Sequence, residues 1–258
     1  MIRRPPRSTQ GVSSAASDVY KRQELEKGIA SFNQRFEGSI KSLAKPEPIT
    51  TAINHFQDAL KNSATETDAE LYLLQSYYFR GKYVHRNKEK QKADFSKGKN
   101  LGEKCIKKYP DSAPFRYWYL VNLGSWSEVY GIITAAREGV ADLMKEHSEI
   151  IVSLDPEYEN GGGYFMLGAV HFKSPYIPFF LSWPDNDKAI TYLSKALTIG
   201  KETPNQKVYL AQALYRDGQK NRAIEILKDV ASMIPSTPEI VRDWEQIELA
   251  EQLLSEYR

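Results

Sequence analysis

The chain has 258 residues, 41% of them hydrophobic and 26% charged, with a formal net charge of +2. That apolar fraction suits a folded globular domain, and no run reaches the ~18 apolar residues that a membrane-spanning helix needs. A single cysteine, Cys105, excludes an intramolecular disulfide, and the near balance of charge excludes the electrostatic footprint of a nucleic-acid binder.

Residues 1–23 read MIRRPPRSTQGVSSAASDVYKRQ, rich in Arg, Ser and Pro and without a helical period. A signal peptide needs an apolar run after its charges, and none is present. The stretch resembles a translated sequencing-adapter fragment. On that reading it is a disordered, non-native tail, too poor in apolar surface to offset the entropy of ordering. Arg3, Arg4, Arg7, Lys21 and Arg22 against Asp18 give it a net +4, which leaves −2 for the remaining 235 or so residues. The basic character of the whole is therefore not a nucleic-acid signal. The alternative is a basic targeting tail.

From residue 24 onward apolar residues recur at helical spacing, and no segment shows sustained strand alternation. Ala52, Phe56 and Ala59 form one helical stripe. Leu73, Tyr77, Gly81 and Tyr83 form the next. After the polar stretch His85 to Asp94, Gly98, Cys105 and Pro110 mark the following helix. A further pair starts near Ala113, runs through Trp118, Tyr119 and Leu120, and ends at Leu154-Asp155-Pro156. Ala189, Leu193 and Ala196 then recur in phase with Ala223, Leu227 and Val230. Leu210 and Ala211 precede Gly218, and Pro235 closes the unit. Thr237 to Arg258 reads as a terminal amphipathic helix with Ile240, Trp244, Ile247 and Leu254 on roughly one face.

These positions match the tetratricopeptide (TPR) repeat of about 34 residues. Two antiparallel helices cross closely only where side chains are small. Positions eight and twenty therefore take Ala or Gly, and a proline stops the second helix. The expected fold is all α: one TPR-like helical-hairpin solenoid over residues 24–258, with about ten to eleven helices and a C-terminal capping helix.

No His, Cys or carboxylate stands at catalytic or metal-site spacing, so the reading is not an enzyme and carries no cofactor. His171 reads as a packing histidine in an apolar helix, His147 as part of a solvated one beside Glu146 and Glu149, and Cys105 as a buried inert thiol. In Asp155 to Gly163, three glycines before a helix read as a flexible turn with Asn160 as N-cap. Holding an anion is the sharper alternative. No Lys-Ser/Thr follows, so it is not a P-loop. The proline-broken SPYIPFFLSWP stretch, Ser174 to Pro184, either folds back as core or offers an apolar surface. Core packing is the expectation.

TPR solenoids bind along the concave face of their first helices. In register, that face takes Gln75, Tyr78 and Phe79; Tyr117; Phe172 and Lys173; and Gln212, Tyr215 and Arg216. The set is aromatic with few charges. With Val208, Tyr209 and Gln212 in its best unit, the chain lacks the Lys and Asn of TPR proteins that clamp a peptide carboxylate.

From about Pro114 onward the chain resembles the T-component (TatT) family of TRAP-transporter-associated TPR proteins. The likeness lies in Arg116-Tyr117-Trp118-Tyr119, Gly124, Gly131, and LDPEYENGGGYFMLGAVHFKSPYIPFF followed by DNDKAITYLSKAL. The same Trp-Tyr plus Leu-Asp-Pro layout occurs in regulator-of-microtubule-dynamics TPR proteins. The first resemblance implies a bacterial periplasmic lipoprotein with a hydrophobic ligand cavity. It also implies homo-oligomerisation and association with a periplasmic solute-binding protein. No lipobox cysteine occurs here, and a cytoplasmic chain is the alternative. The rival function is a general protein–protein scaffold without a ligand cavity.

Overall fold

The structure is a computed structural model. It describes the backbone of residues 10–257 except 62, 178 and 180, and side chains except those of residues 10–21 and 237. Among the described residues there are twelve α-helices and no strands. They are α1 Gln10–Asn33, α2 Pro46–Ala59, α3 Ser63–Phe79, α4 Lys88–Lys108, α5 Ala113–Tyr130, α6 Ile132–Arg137, α7 Val140–Leu154, α8 Tyr158–Lys173, α9 Asn186–Ile199, α10 Pro204–Arg216, α11 Lys220–Ala231 and α12 Ile240–Glu256. A π-helical turn, Arg80–Val84, extends α3, and a 3-10 turn, Thr237–Glu239, leads into α12. The count exceeds the expected ten to eleven because α6 breaks off at Gly131, and α1 begins as far back as Gln10. Residues 10–23 are thus helical, where no helical period was expected. Residues 1–9 lie outside the described residues.

Local chemistry sets the helix ends. α10 opens on a capping box: Gln206 N donates to Thr203 Oγ1 at 3.3 Å and Thr203 N to Gln206 Oε1 at 3.2 Å, with Pro204 at the first helical position. It closes at Gly218, whose φ of +84° costs glycine little. Asp185 caps α9 by accepting from the N–H groups of Asp187 and Lys188. Ser112 and Asn87 cap α5 and α4.

The repeat register holds in the packing. Ala52, Ala59, Ala189, Ala196, Ala211 and Ala223 are fully buried, with Leu193 and Leu227 between the helices they separate. At the α4–α5 crossing a Cβ on Gly98 would stand 1.9 Å from Asn122 Oδ1, and one on Gly102 2.7 Å from Tyr119. The contact at Gly98 requires the small residue that the repeat spacing placed there, and Gly102 adds a second one.

Two apolar cores result. One joins α1, α2 and α3 through Phe32, Ile49, Ile53, Phe56 and Leu73. The larger runs from Leu74 of α3 through α11. α12 belongs to both: Val241 is buried in the first, and Ala250 and Leu253 in the second. The expected cap is therefore not one-sided. Lys82 pairs with Glu245 at 2.9 Å, Tyr83 Oη donates to the same carboxylate at 3.1 Å, and Ser42 Oγ donates to Glu248. Lys41 lies over the Trp244 ring. The last helix thus meets the first ones across the concave face of the superhelix.

The Asp155–Gly163 segment is not a flexible turn. Glu159, Asn160 and Gly161 are all left-handed, and the three glycines are buried. A Cβ on Gly161 would stand 3.0 Å from the Ala196 carbonyl, and one on Gly162 2.5 Å from the Tyr117 ring. Asn160 is not the N-cap: its Oδ1 accepts from Lys201 N and its carbonyl from Gln206 Nε2. It ties α8 to the α9–α10 turn.

Candidate functional site

Alternate helices α3, α5, α8 and α10 line the inside of the superhelix, and α12 lies against them. Gln75, Tyr78 and Phe79 of α3 face a cavity of about 100 Å³. Trp118 of α5, Glu159 of α8, and Glu239 and Arg242 at the start of α12 complete its far walls, and Phe32 and Arg35 close it from the end of α1. Tyr78 stacks at a tilt on Trp118, with centroids 6.0 Å apart. Tyr117 is buried beside them, edge-on to Trp118 and to Tyr158. Burial raises the pKa of its phenol, and likewise that of Tyr209.

Arg242 and Glu239 form an ion pair at 2.8 Å. No cation stands at ion-pair distance from the Glu159 carboxylate among the described residues, and burial raises its pKa. Its backbone is held at φ 50°, ψ 45°, a conformation that costs a non-glycine residue of order 1 kcal/mol and persists where the surroundings enforce it. Trp118 Nε1 is buried, and its N–H acts on the Tyr158 hydroxyl beside it.

The other expected concave residues gather at the C-terminal end. Phe172 is buried against Tyr209, and Arg216 lies 3.9 Å over its ring while donating from Nη1 to its carbonyl at 2.6 Å. Lys173 is exposed and sits over Tyr209. Tyr215 stacks on Tyr257, and Gln212 turns its amide toward its own helix at Val208. The set named from the register thus divides into a cavity group and a C-terminal group, with Tyr117 between them. Arg35, Trp118, Glu159, Glu239 and Arg242 were not named. Trp118 adjoins Tyr117 and was visible as a core aromatic, but nothing in the sequence shows that α12 returns to α1 and α3.

The histidines are buried or paired. His147 is not solvated: Arg116 Nη1 lies 2.6 Å from its Nδ1. His171 packs on Trp183 and Tyr192, and its Nδ1 accepts from Asp185 N at 3.2 Å. Burial pushes the Cys105 thiol up to about 12. No group of three metal-ligating side chains occurs among the described residues, and no helix there is long and apolar enough to cross a membrane.

The proline-broken segment is a projecting hairpin rather than core. Ile177 and Leu181 exchange both backbone hydrogen bonds at 2.8 Å, Phe179 is fully exposed at φ +68°, and Tyr176 is exposed. Its base is anchored where Trp183 Nε1 donates to Asp142 at 2.8 Å. Pro178 and Phe180 lie outside the described residues.

No family model and no curated protein matches this chain. Among solved structures, a thermophilic TPR protein of Thermus thermophilus, TTC0263, aligns with a TM-score of 0.59 and 14% identity, over 89% of this chain and 99% of that one. Yeast Tom70 aligns with a TM-score of 0.30 and 12% identity, over 91% of this chain and 65% of that one. The Thermus likeness, with the buried small-residue register, shows that this chain has a TPR-type helical-repeat fold.

Proposed function

We propose that this protein is a non-enzymatic protein-binding scaffold, and that its partner docks on one edge of the solenoid rather than in the groove. The observation that carries this is the distribution of exposed apolar side chains. The helices run up and down, so their connections alternate between two edges. Connections on one edge are short except that from α11 to α12, which bears the exposed Ile234. On the other, the α1–α2, α5–α7 and α8–α9 connections are longer and bear Ile40 and Leu43, Tyr130, Ile132 and Ile133, and Tyr176, Ile177 and Phe179. Ile40, Leu43 and Val84 also line an open groove beside Lys45 and Lys90 on that edge. Exposed apolar residues concentrated in this way mark interaction surfaces. The concave face is meanwhile occupied by α12.

The finer reading is an envelope accessory of a TRAP-type uptake system, contacting a solute-binding protein. Its support is the T-component-like block around Leu154 to Phe180.

A variant carrying Ile133→Glu, Tyr176→Glu and Phe179→Glu tests the edge. These side chains are exposed, so the thermal midpoint should stay within about 2 °C of wild type. Proteins that co-purify stoichiometrically with the wild-type chain should be lost. If the same partners are retained, the edge is not the docking surface. If the variant instead loses flotation with anionic vesicles and no protein partner is affected, the edge serves a membrane and the scaffold reading falls.

A further inference from the structure

At the α1–α2 connection the loop edge carries a groove of about 420 Å³, and both of its walls are fixed. Ile40 and Leu43 exchange both backbone hydrogen bonds, at 2.9 and 3.0 Å, across a tight turn in which Lys41 is left-handed. Side chains of such a pair stand on one face, so the 75% exposed Ile40 and the 39% exposed Leu43 are presented together. The turn is pinned to α12, where Glu248 accepts from Ser42 Oγ and pairs with Lys41 at 3.5 Å. Ala44 N donates to the Tyr83 carbonyl at 2.9 Å, which brings Val84 and His85 alongside as the opposite wall. His85 is held in turn by Asp94, 3.2 Å from its Nε2. A groove already held on both sides loses little further freedom when it is filled.

The charge here has one sign. Lys45, Lys90 and His85 line the groove, and no Asp or Glu does. Lys45 folds back over Gly38, where an added Cβ would stand 2.7 Å from its Nζ. Lys90 is also the first of a row. Residues seven apart on a helix are offset by only about 20° around its axis. Lys90, Lys97 and Lys104 therefore share one face of α4, and all three are exposed. On the same helix Lys92 pairs with Glu89, Lys99 with Glu103 and Glu138, and Lys108 with Glu66 and Glu70, whereas no carboxylate stands at ion-pair distance from Lys45, Lys90, Lys97 or Lys104 among the described residues. At 1.5 Å per residue the row extends over about 21 Å. Such a row of like charges is relieved by opposite charge laid along it.

Taking the loop edge as the docking side, we propose that this end of it binds an acidic protein segment with an apolar head. One or two aliphatic side chains enter the groove between Ile40, Leu43 and Val84, and the carboxylates that follow lie along Lys90, Lys97 and Lys104. An extended chain advances about 3.4 Å per residue, so about six residues span the row. A nucleic acid fits less well. Its backbone has no aliphatic group for the groove, and no aromatic side chain lines the groove for a base to stack on. A membrane also fits less well. The helices run from edge to edge, so the row leads away from the loop edge, and a bilayer lying on that edge would not reach Lys104.

The test is fluorescence anisotropy of labelled peptides titrated with the full chain. LLEEEEEE should bind. LLQQQQQQ should bind at least about tenfold more weakly, because the charge attraction is gone. GGEEEEEE should bind several-fold more weakly, because the groove stays empty. Lys90→Gln, Lys97→Gln and Lys104→Gln combined should weaken LLEEEEEE about tenfold or more and flatten its salt dependence. The thermal midpoint should not move, since these side chains are exposed. Ile40→Asp sets a carboxylate at the groove and should abolish binding in a folded chain. Equal affinity for LLEEEEEE and LLQQQQQQ overturns the proposal without any variant. So does undiminished binding by the triple glutamine variant, or no anisotropy change up to ~1 mM protein. Lysine-dependent flotation with phosphatidylglycerol vesicles, without peptide binding, overturns it in favour of a membrane. The groove and the row contain none of Ile133, Tyr176 and Phe179, so the two readings fail separately. If the peptides fail while the edge variant still loses its partners, the edge docks a segment of other chemistry.

Discussion

At the scale of single residues, His147 shows how a partner changes the meaning of a side chain. Arg116 can only donate, so the short contact at 2.6 Å requires a neutral imidazole with Nδ1 accepting. Arg116 is itself fixed by donating from Nε and Nη2 to the Pro110 carbonyl. Burial, and then the charge of Arg116, hold the His147 pKa below the ordinary 6.5. The protonated form is thus favoured in the unfolded chain. The stability contributed by the neutral ring is present above about pH 6.5 and is lost as pH falls through the folded value. Burial likewise lowers the pKa values of His85 and His171. The thermal midpoint should therefore drop between pH 7 and pH 5. His147→Gln keeps an acceptor for Arg116 without titrating, and its midpoint should fall less steeply over that interval. An unchanged slope would mean that His147 has no part in the pH response.

At the scale of helices, the small positions decide how closely neighbours approach. Asn122 sits where α4 meets α5, and its Nδ2 donates to the carbonyls of Leu74 and Trp118 at 3.0 and 2.9 Å. A methyl group on Gly98 would collide with that side chain. Alanine favours helix over glycine by roughly 0.5–1 kcal/mol, whereas overpacking costs ~1–3 kcal/mol. The clash should win, and Gly98→Ala should destabilise by about 1–2 kcal/mol in urea unfolding. Gly124 on α5 is the control. Its added Cβ would meet only Met144 Cε, at 3.9 Å. Gly124→Ala should therefore be neutral or stabilising by up to about 1 kcal/mol. If both substitutions behave alike, the tight α4–α5 crossing is wrong.

At the scale of the whole molecule, α12 links two cores that would otherwise meet only along their shared boundary. Val241 is fully buried in the N-terminal core, Leu253 lies in the larger one, and Glu245 and Glu248 hold Lys82, Tyr83 and Ser42. Val241→Asp would bury an unpaired carboxylate on the N-terminal side alone. Hydrogen exchange should show α1 to α3 losing protection while α8 to α11 keep theirs, because a solenoid unfolds in contiguous cooperative units. Uniform loss across the chain, or no loss, would mean that α12 does not couple the two ends.

Much of the repeat architecture was legible because it depends on local spacing. Ala189, Ala196, Ala211, Ala223 and Leu227 are buried since antiparallel helices of this pitch cross at fixed intervals, and the interval is written in the residue types. Capping by Thr203 and termination at Gly218 were equally local. What lies across the superhelix was not legible. Arg35 and Arg242 are separated by about 200 residues of sequence and share a cavity only because the curvature accumulated over successive hairpins returns α12 to α1. The three glycines at 161–163 form close packing rather than a flexible turn because neighbouring helices press on them, through Ala196, Tyr117 and Val152. The Ser174–Pro184 stretch differs for a related reason. Its composition suits either core or surface, and the backbone pairing of Ile177 with Leu181 holds Tyr176 and Phe179 out in solvent. Periodicity determined the helices and their pairing, and superhelical closure decided which side chains face one another.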